Sequence, residues 1–207
     1  MVERRRLIVG ISGATGIVYG IRLLEMLKRI NVESHLVVSK ASHKTLTHET
    51  DMTAEDLRKL ADINYSTWDI GAAISSGSFK TMGMVIAPCS IRTMSEIATG
   101  VTSNLLTRAA DVVLKERRRL VLMVRETPLH AGHLKSMLAV IESGGIIAPP
   151  MPAFYTRPET LDDIINHTVG RVLDLFDIDA GCVKRWGEEV NEYLWKQDLE
   201  KKKVASK

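Results

Sequence analysis

The sequence predicts one α/β domain in which a parallel sheet is covered by helices on both faces. Short apolar runs alternate along the chain with segments whose apolar residues recur at helical spacing. The runs are apolar throughout, as expected for strands that are buried on both faces of a sheet. With 207 residues, of which 45% are hydrophobic and 26% charged, the chain is long enough to bury a core of its own.

Five short strands account for the apolar runs. They are predicted over residues 7–9, 32–38, 83–87, 120–124 and 146–148. Pro88 and Pro149 are expected to end the third and the fifth strand, because proline has no N–H group to donate to a sheet.

Helices fill the segments between the strands, where apolar residues are three or four positions apart. They are predicted over residues 16–30, 39–49, 53–61, 90–99, 103–117, 130–143 and 160–176. Thr53, Ser90 and Thr160 stand at helix starts, where a hydroxyl can cap the first free N–H groups. Residues 72–79, rich in serine and glycine, are predicted to be a loop. The chain is interpreted as a single domain over 1–207, with flexible tails at about 1–5 and 196–207.

The composition excludes several classes of protein. The net charge is only +3 and aromatic residues make up 5%, which argues against a nucleic-acid-binding surface. Two cysteines cannot form a disulfide framework. No apolar stretch is long enough to span a membrane, and the apolar run after the N-terminal arginines is broken by glycine. A cytoplasmic protein is therefore predicted.

The first strand leads into a glycine-rich loop at the edge of the sheet where such folds bind ligands. Residues 10–16 read Gly-Ile-Ser-Gly-Ala-Thr-Gly. Glycine allows the backbone to approach an anion, Ser12 and Thr15 add hydroxyls, and the next helix offers free N–H groups. No lysine follows the last glycine, as a Walker loop requires, and Ser39-Lys40 stands where a dinucleotide site has an acid. A phosphorylated mononucleotide is favoured over NAD, although a simple tight turn also fits this spacing.

A second polar segment follows the third predicted strand. Residues 87–93 read Ala-Pro-Cys-Ser-Ile-Arg-Thr, with Ser90 as the expected first cap of a helix. Free N–H groups and polar side chains here would face the same edge as the first loop, but an ordinary helix cap is an equal interpretation. Cys89 is interpreted as a small buried residue and not as a nucleophile.

Charged residues occupy two further positions of interest. Arg125 and Glu126 directly follow a buried strand, where an arginine can hold phosphate and a glutamate can move a proton; a mutual salt bridge is the alternative. Arg108, Asp111 and Lys115 share one helix face, for which an internal ion pair on a solvated face is the ordinary explanation.

The last candidates come from aromatic and histidine side chains. Prolines in 149–155 make a stiff segment that fixes Tyr155, whose hydroxyl could share an anion with Arg171; packing and solvation are the alternative. His130 and His133 are spaced like half of a metal site. No third ligand is evident nearby, so surface helix residues are favoured.

Taken together, these segments resemble the flavin prenyltransferase family, formerly called 3-polyprenyl-4-hydroxybenzoate decarboxylase or phenolic acid decarboxylase. The resemblance extends from about residue 6 to residue 186. It is carried by the segments 10–16, Ser39-Lys40, Glu49-Thr50-Asp51, 75–79, Pro88-Cys89-Ser90, 108–117, 125–129, 149–155 and Arg185-Trp186.

The resemblance implies a flavodoxin-like, Rossmann-like three-layer fold and a homododecamer built from trimers, with sites between subunits. It implies an enzyme that joins the dimethylallyl group of dimethylallyl monophosphate to reduced FMN at N5 and C6. The product, prenylated FMN, would serve a partner decarboxylase. No metal would be used, and the absence of an Asp-rich magnesium motif favours the monophosphate over the diphosphate.

The family's functional positions can be placed on this chain. The implied FMN site comprises Gly13, Ala14, Thr15, Ser39, Ser90, Ile91, Arg92, Thr93 and Arg125. The implied prenyl phosphate site comprises Lys115, Arg125, Glu126, Tyr155 and Arg171, with Arg108 as a further candidate and Trp186 as a shield. Glu126, Lys115 and Arg125 are the candidates for catalysis. Thr15 stands where many members have serine, and Arg92 where they often have lysine or a small residue.

Two other functions are compatible with the fold. Flavin-dependent cysteine decarboxylases would show an active-site histidine after a strand and a Pro-Ala-Ser-Ala-Asn-Thr segment, where this chain has Pro88 to Thr93. A non-catalytic FMN carrier would not need a second anion site.

Overall fold

The computed structural model describes residues 4–187 of the chain. Its sheet is parallel throughout and has the strand order β3-β2-β1-β4-β5-β6. The strands are β1 Arg6–Ile11, β2 Glu33–Val38, β3 Ile63–Tyr65, β4 Gly83–Cys89, β5 Arg119–Val124 and β6 Ile146–Ile147. Every residue of β4 is buried, and so are all but the first of β1 and β5. The predicted parallel sheet with covered faces is confirmed.

Seven α-helices accompany these strands in the described part of the chain. They are α1 Ile17–Arg29, α2 Ser42–Glu49, α3 Ala54–Lys59, α4 Ile91–Ala98, α5 Leu105–Lys115, α6 Ala131–Glu142 and α7 Leu161–Asp174. Short 3₁₀ turns lie at Ala73–Ser75 and Phe154–Thr156. The three predicted caps are confirmed: the side chains of Thr53, Ser90 and Thr160 each accept a hydrogen bond from the N–H three residues later.

The sheet differs from the prediction at two places. Strand β3 was not predicted; it has three residues, and Ile63 is 42% exposed at the edge of the sheet. Strand β4 does not stop at Pro88 but continues to Cys89. Proline fits there because the register with β5 shifts between Ile86 and Cys89, so no regular ladder bond is lost at Pro88.

The chain divides into two compact units, one up to residue 150 and one from residue 151 onward. The first contains the whole sheet with helices α1 to α6, and the second contains α7. One domain over 1–207 therefore stays a prediction. Of the predicted tails, residues 1–3 and 196–207 lie outside the described residues, whereas the carbonyl of Arg5 accepts a hydrogen bond from the N–H of Glu33 (2.8 Å). Within residues 4–187, no helix has the length and apolar character needed to cross a bilayer.

Candidate functional site

The strand order places a crevice between β1 and β4. The chain moves from β1 outward through β2 and β3, then returns to β4 on the other side of β1. Connections that leave two adjacent parallel strands in opposite directions open a crevice at their carboxyl ends, where ligands bind in such folds. The loops that follow β1, β2, β4 and β5 are therefore the candidate site.

These loops are joined to one another by backbone hydrogen bonds. The N–H of Ser39 donates to the carbonyl of Ile11 (2.9 Å), and the N–H of Ser12 donates to that of Pro88 (3.1 Å). The N–H of Arg125 donates to the carbonyl of Cys89 (3.1 Å). The sheet ladder thus continues one step beyond the strands, which fixes the loops relative to each other.

Ser12 has a structural role that differs from the predicted one. It is 1% exposed; its hydroxyl donates to the carbonyl of Pro88 (3.1 Å) and accepts from the N–H of Ser90 (2.7 Å). Both capacities of the hydroxyl are used within the protein, so Ser12 is not available to a ligand. Of the two hydroxyls predicted for this loop, only that of the exposed Thr15 faces solvent.

Glycine is required at two points of the first loop. A Cβ on Gly13 would lie 2.4 Å from the Cβ of Ala41, so the loop after β1 can pass the loop after β2 only without a side chain. Gly16 has φ +94°, the left-handed conformation that glycine adopts without strain. This close passage brings the backbone of Gly13 beside Ser39.

The start of α1 is already occupied by a carboxylate. Glu49, the last residue of α2, accepts hydrogen bonds on Oε2 from the N–H groups of Gly16 (2.8 Å) and Ile17 (3.0 Å). The prediction that this helix offers free N–H groups to an anion is therefore wrong for these two. Negative charge at a helix start is stabilising, which explains the contact. Sequence reasoning did not assign Glu49 to the site, although it belongs to one of the segments that carry the family resemblance.

The loops enclose what is here named the strand-end cavity, about 220 Å³ in volume. Five of the predicted FMN residues line it: Gly13, Ser39, Ser90, Arg92 and Thr93. Lys40, which sequence reasoning did not assign, also lines it. Hydroxyls, cations and the start of α4 thus converge on one space, the combination that suits a phosphate. Ala14, Thr15, Ile91 and Arg125 do not line it.

Arg125 and Glu126 lie exposed just after β5. The Glu126 carboxylate accepts a hydrogen bond from the N–H of Thr127 (3.0 Å). Among residues 4–187 neither side chain forms an ion pair, so the alternative of a mutual salt bridge is not seen. Both charged groups are available to a ligand at this edge.

The cations of α5 are paired with acids of the same helix face or its end. Arg108 bonds Asp111 (2.7 Å), as the internal ion pair of the ordinary interpretation, and Lys115 pairs with Glu116. Lys115 ends α5 four residues before β5 begins, whereas Arg125 follows that strand. Six strand residues span roughly 20 Å. One chain therefore does not bring Lys115 together with Arg125 and Glu126.

The unit from residue 151 onward holds Tyr155, Arg171 and Trp186. The ring of Tyr155 meets that of Trp186 edge to face (5.5 Å between centroids), and its hydroxyl lies 3.4 Å from Nε2 of His167. His167 is buried, and its Nδ1 has no partner within the described residues. Burial lowers the pKa of His167, with a further contribution from the positive charge of Arg171.

Arg171 is held by an acid in this unit. Asp174 accepts from Arg171 (2.5 Å) and, on both oxygens, from Arg185 (3.0 Å each). Partial burial disfavours the charged carboxylate, but the two guanidinium groups prevail and lower the pKa of Asp174.

The remaining candidates agree with their ordinary interpretations. Cys89 is fully buried, which raises the pKa of its thiol, so it is not a nucleophile. His130 caps α6 by accepting from the N–H of Gly132 (3.0 Å), and its ring stacks on that of His133. In the part of the chain that is described, no three His, Cys, Asp or Glu side chains are grouped to hold a metal.

Comparison with known proteins supports a specific family. The profile of the family described as Flavoprotein matches residues 1–172. The flavin prenyltransferase UbiX of Thauera aromatica is 55% identical over 188 residues, 90% of this chain and 97% of that protein. Its counterpart in Escherichia coli K12 is 59% identical over 175 residues, 84% of this chain and 93% of that protein.

Solved structures agree with these relatives. AnUbiX (PadA1), crystallised with FMN and dimethylallyl pyrophosphate, superposes with a TM-score of 0.88 at 49% identity, over 89% of this chain and 98% of that one. A dodecameric FMN-dependent UbiX-like decarboxylase from Escherichia coli O157:H7 gives 0.85 at 50% identity, over 87% and 98%. The cysteine decarboxylase TvaF gives 0.58 at 18% identity over 72% of this chain and 91% of that one, which shows a shared fold alone. The chain therefore belongs to the flavin prenyltransferase family, and the protein is a transferase.

Proposed function

We propose that the protein joins the dimethylallyl group of dimethylallyl monophosphate to reduced FMN and releases prenylated FMN. Bonds form at N5 and C6 of the flavin, the allylic C–O bond breaks, and phosphate departs. The observation that carries the proposal is the convergence of Gly13, Ser39, Ser90 and Thr93 on one cavity beside the exposed Arg125 and Glu126. This is an anion cradle next to charged groups that can assist a second reactant.

The phosphate of FMN fits the strand-end cavity. Its oxygens would accept hydrogen bonds from hydroxyls and from N–H groups at the start of α4, which Ser90 caps. Arg92 is paired with Glu96 (2.9 Å), but its side chain is 83% exposed, so a phosphate can compete for it at little cost. The backbone of Gly13, Ala14 and Thr15 would run along the flavin chain toward the ring.

The second reactant requires positive charge where its phosphate leaves. Ionising an allylic phosphate places negative charge on the departing oxygens, and fixed cations stabilise it. Arg125 supplies such a cation without an ion pair among the described residues, and Glu126 beside it can move a proton between flavin and phosphate. A dry pocket must protect the allylic fragment from water, a role proposed for Trp186.

The other proposed contacts of the prenyl phosphate are Tyr155, Arg171, Lys115 and Arg108. Lys115 and Arg108 would act on the flavin of a neighbouring chain, since one chain does not bring Lys115 to Arg125. Each of the three cations has an acidic partner that a phosphate would replace. This supports a homo-oligomer with sites between subunits; a solved relative is dodecameric. We further propose a cytoplasmic location and delivery of the product to a decarboxylase.

The reaction can be tested with purified protein. Reduced FMN and dimethylallyl monophosphate are incubated anaerobically with the protein, and the mass of the released flavin is measured by mass spectrometry. A flavin that carries an added five-carbon unit is expected. A parallel incubation with the diphosphate, which a solved relative contains, measures the preference between the two substrates. Unmodified flavin from both incubations would disprove the prenyltransferase activity.

Replacing the proposed proton carrier separates chemistry from binding. Glu126→Gln keeps the size of the side chain but cannot transfer a proton, so turnover should fall by roughly 10²- to 10⁴-fold. FMN affinity should change little, and Glu142→Gln, an exposed glutamate on α6, is the matched control. Equal loss of turnover and FMN binding in Glu126→Gln would remove the proton role of this residue.

A further inference from the structure

A second cavity lies beside the strand-end cavity on the side of β2 and β3. It has a volume of about 410 Å³, and Lys40, Thr67 and Trp68 line both spaces. The two cavities are thus contiguous at these three residues. None of the residues assigned to FMN or to the prenyl phosphate lines the second cavity.

The second cavity is positively charged and has no acid in its wall. Lys40 and Arg58 line it together with the imidazole of His43, and no Asp or Glu does. Among residues 4–187 neither Lys40 nor Arg58 forms an ion pair. On the same helix as Arg58, Lys59 points elsewhere and pairs with Glu55 (3.1 Å). Two unpaired cations directed at one concave space favour an anionic ligand.

The fold fixes the groups that carry this charge. Arg58 lies near the end of α3, and its carbonyl accepts a hydrogen bond from the side chain of Asn64 (3.0 Å), which joins the helix to β3. Lys40 and His43 come from the turn after β2 and the start of α2. All three positions therefore depend on short connections at the same edge of the sheet.

The wall also offers planar apolar surface and hydroxyls. Trp68 is 75% exposed, and its backbone N–H donates to the hydroxyl of Ser66 (3.3 Å), which fixes the backbone there. Tyr65 lines the cavity as well, and its ring stacks on that of His35 (5.9 Å). An indole face open to solvent is a platform on which an aromatic base can stack.

We propose that this cavity binds a nucleoside monophosphate group. Its phosphate would lie between Lys40, His43 and Arg58, with its base on Trp68. Two molecules carry this chemistry: a free nucleotide such as AMP, or FAD, whose AMP half would extend from the FMN phosphate past Lys40. The FAD form rests on the proposed function, because it requires the FMN phosphate in the strand-end cavity; the free-nucleotide form does not.

The test compares three proteins: the wild type, Arg58→Gln and the control Lys59→Gln. Dissociation constants are measured for FMN, for FAD, for AMP with the apoprotein and with the FMN-loaded protein, and for inorganic phosphate. Removing one cation from a phosphate site should weaken binding about tenfold, a typical loss for a charge-assisted hydrogen bond. Arg58→Gln should therefore weaken FAD or AMP about tenfold and leave FMN unchanged, while Lys59→Gln resembles the wild type.

The outcomes separate the sources and the proposals. An effect of Arg58→Gln on FAD alone identifies the dinucleotide, and an effect on AMP with FMN bound identifies a free nucleotide. If neither ligand depends on Arg58, or if inorganic phosphate binds as tightly as AMP, the proposal is overturned. If FMN itself does not bind the wild type, the proposed function fails, and the AMP titration of the apoprotein still decides the second cavity.

Discussion

The strand-end loops and the unit from residue 151 onward hold their functional groups in different ways. The loops are joined by buried backbone bonds and by the hydroxyl of Ser12. In the other unit, Tyr155 rests on aromatic edges, and Arg171 on an ion pair with Asp174. A ligand cannot replace the first kind of contact without unfolding the sheet, whereas a phosphate can exchange with the second. The difference suits a flavin that must stay fixed and a phosphate that must bind and leave.

The largest expected effect comes from filling the close passage between two loops. In Gly13→Val the new side chain must displace Ala41, so we expect about 2–3 kcal/mol of lost stability and at least tenfold weaker FMN binding. Urea unfolding and flavin fluorescence titration measure the two losses. Gly71→Ala is the matched control, because a Cβ there meets nothing nearer than 3.6 Å. FMN affinity within twofold of the wild type would mean that the passage is not rigid.

A smaller effect is expected from breaking the bond between the first and third loops. Ser12→Ala removes the acceptor of the Ser90 N–H and should lower the free energy of unfolding by about 1–2 kcal/mol. FMN binding should weaken with it, because Ser90 lines the strand-end cavity. Ser143→Ala, which removes an exposed hydroxyl, serves as the control in the same unfolding assay. A variant that loses stability but retains FMN affinity would separate the bond from the site.

In the second unit, Asp174→Asn tests a contact that can be exchanged. It removes the charge that holds Arg171 and Arg185, for an expected loss of about 1 kcal/mol. Because the pKa of Asp174 is lowered in the folded protein, the carboxylate stabilises the fold above its unfolded pKa and ceases to do so as the pH falls through the folded one. Thermal unfolding between pH 7 and pH 3 should show a shallower acid loss in the variant. An unchanged slope would show that the ion pairs contribute nothing.

The smallest effect concerns His167 and a higher range of pH. Burial lowers its pKa in the folded state, so the unfolded chain takes up a proton first as the pH falls below about 6.5. Stability should therefore decrease from there toward pH 5, by less than about 1 kcal/mol, and His167→Gln should flatten this part of the curve. His48→Gln, an exposed histidine on α2, should not. A wild-type curve that is flat between pH 7 and pH 5 would contradict the prediction.

Much of the fold was predictable because its signals are local. Buried parallel strands appear as continuous apolar runs, and helix starts appear as capping residues such as Thr53 and Thr160. Strand β3 gave no such signal, since two of its three residues are exposed and it pairs only with β2. The continuation of β4 to Cys89 was hidden because proline usually ends a strand.

The site was predictable to the extent that topology alone determines it. Parallel strands place their carboxyl ends at one edge, which is why Gly13, Ser39 and Ser90 line one cavity. The inward bonding of Ser12 and the capping by Glu49 join residues 78 and 33 positions apart, and no local pattern reports such pairs. The family resemblance supplied residue roles that neither pattern nor topology contains.

The Glu49 cap limits how this scaffold could be redesigned. The start of α1 carries a built-in carboxylate at the place where many nucleotide-binding proteins hold a phosphate. Simply inserting a lysine into the loop after β1 would give it Glu49 as a neighbour, and the added charge would be neutralised before any nucleotide arrived. An engineer who wants a triphosphate site here must first remove Glu49 and supply another cap. The same carboxylate discourages promiscuous binding of polyphosphates by the natural enzyme.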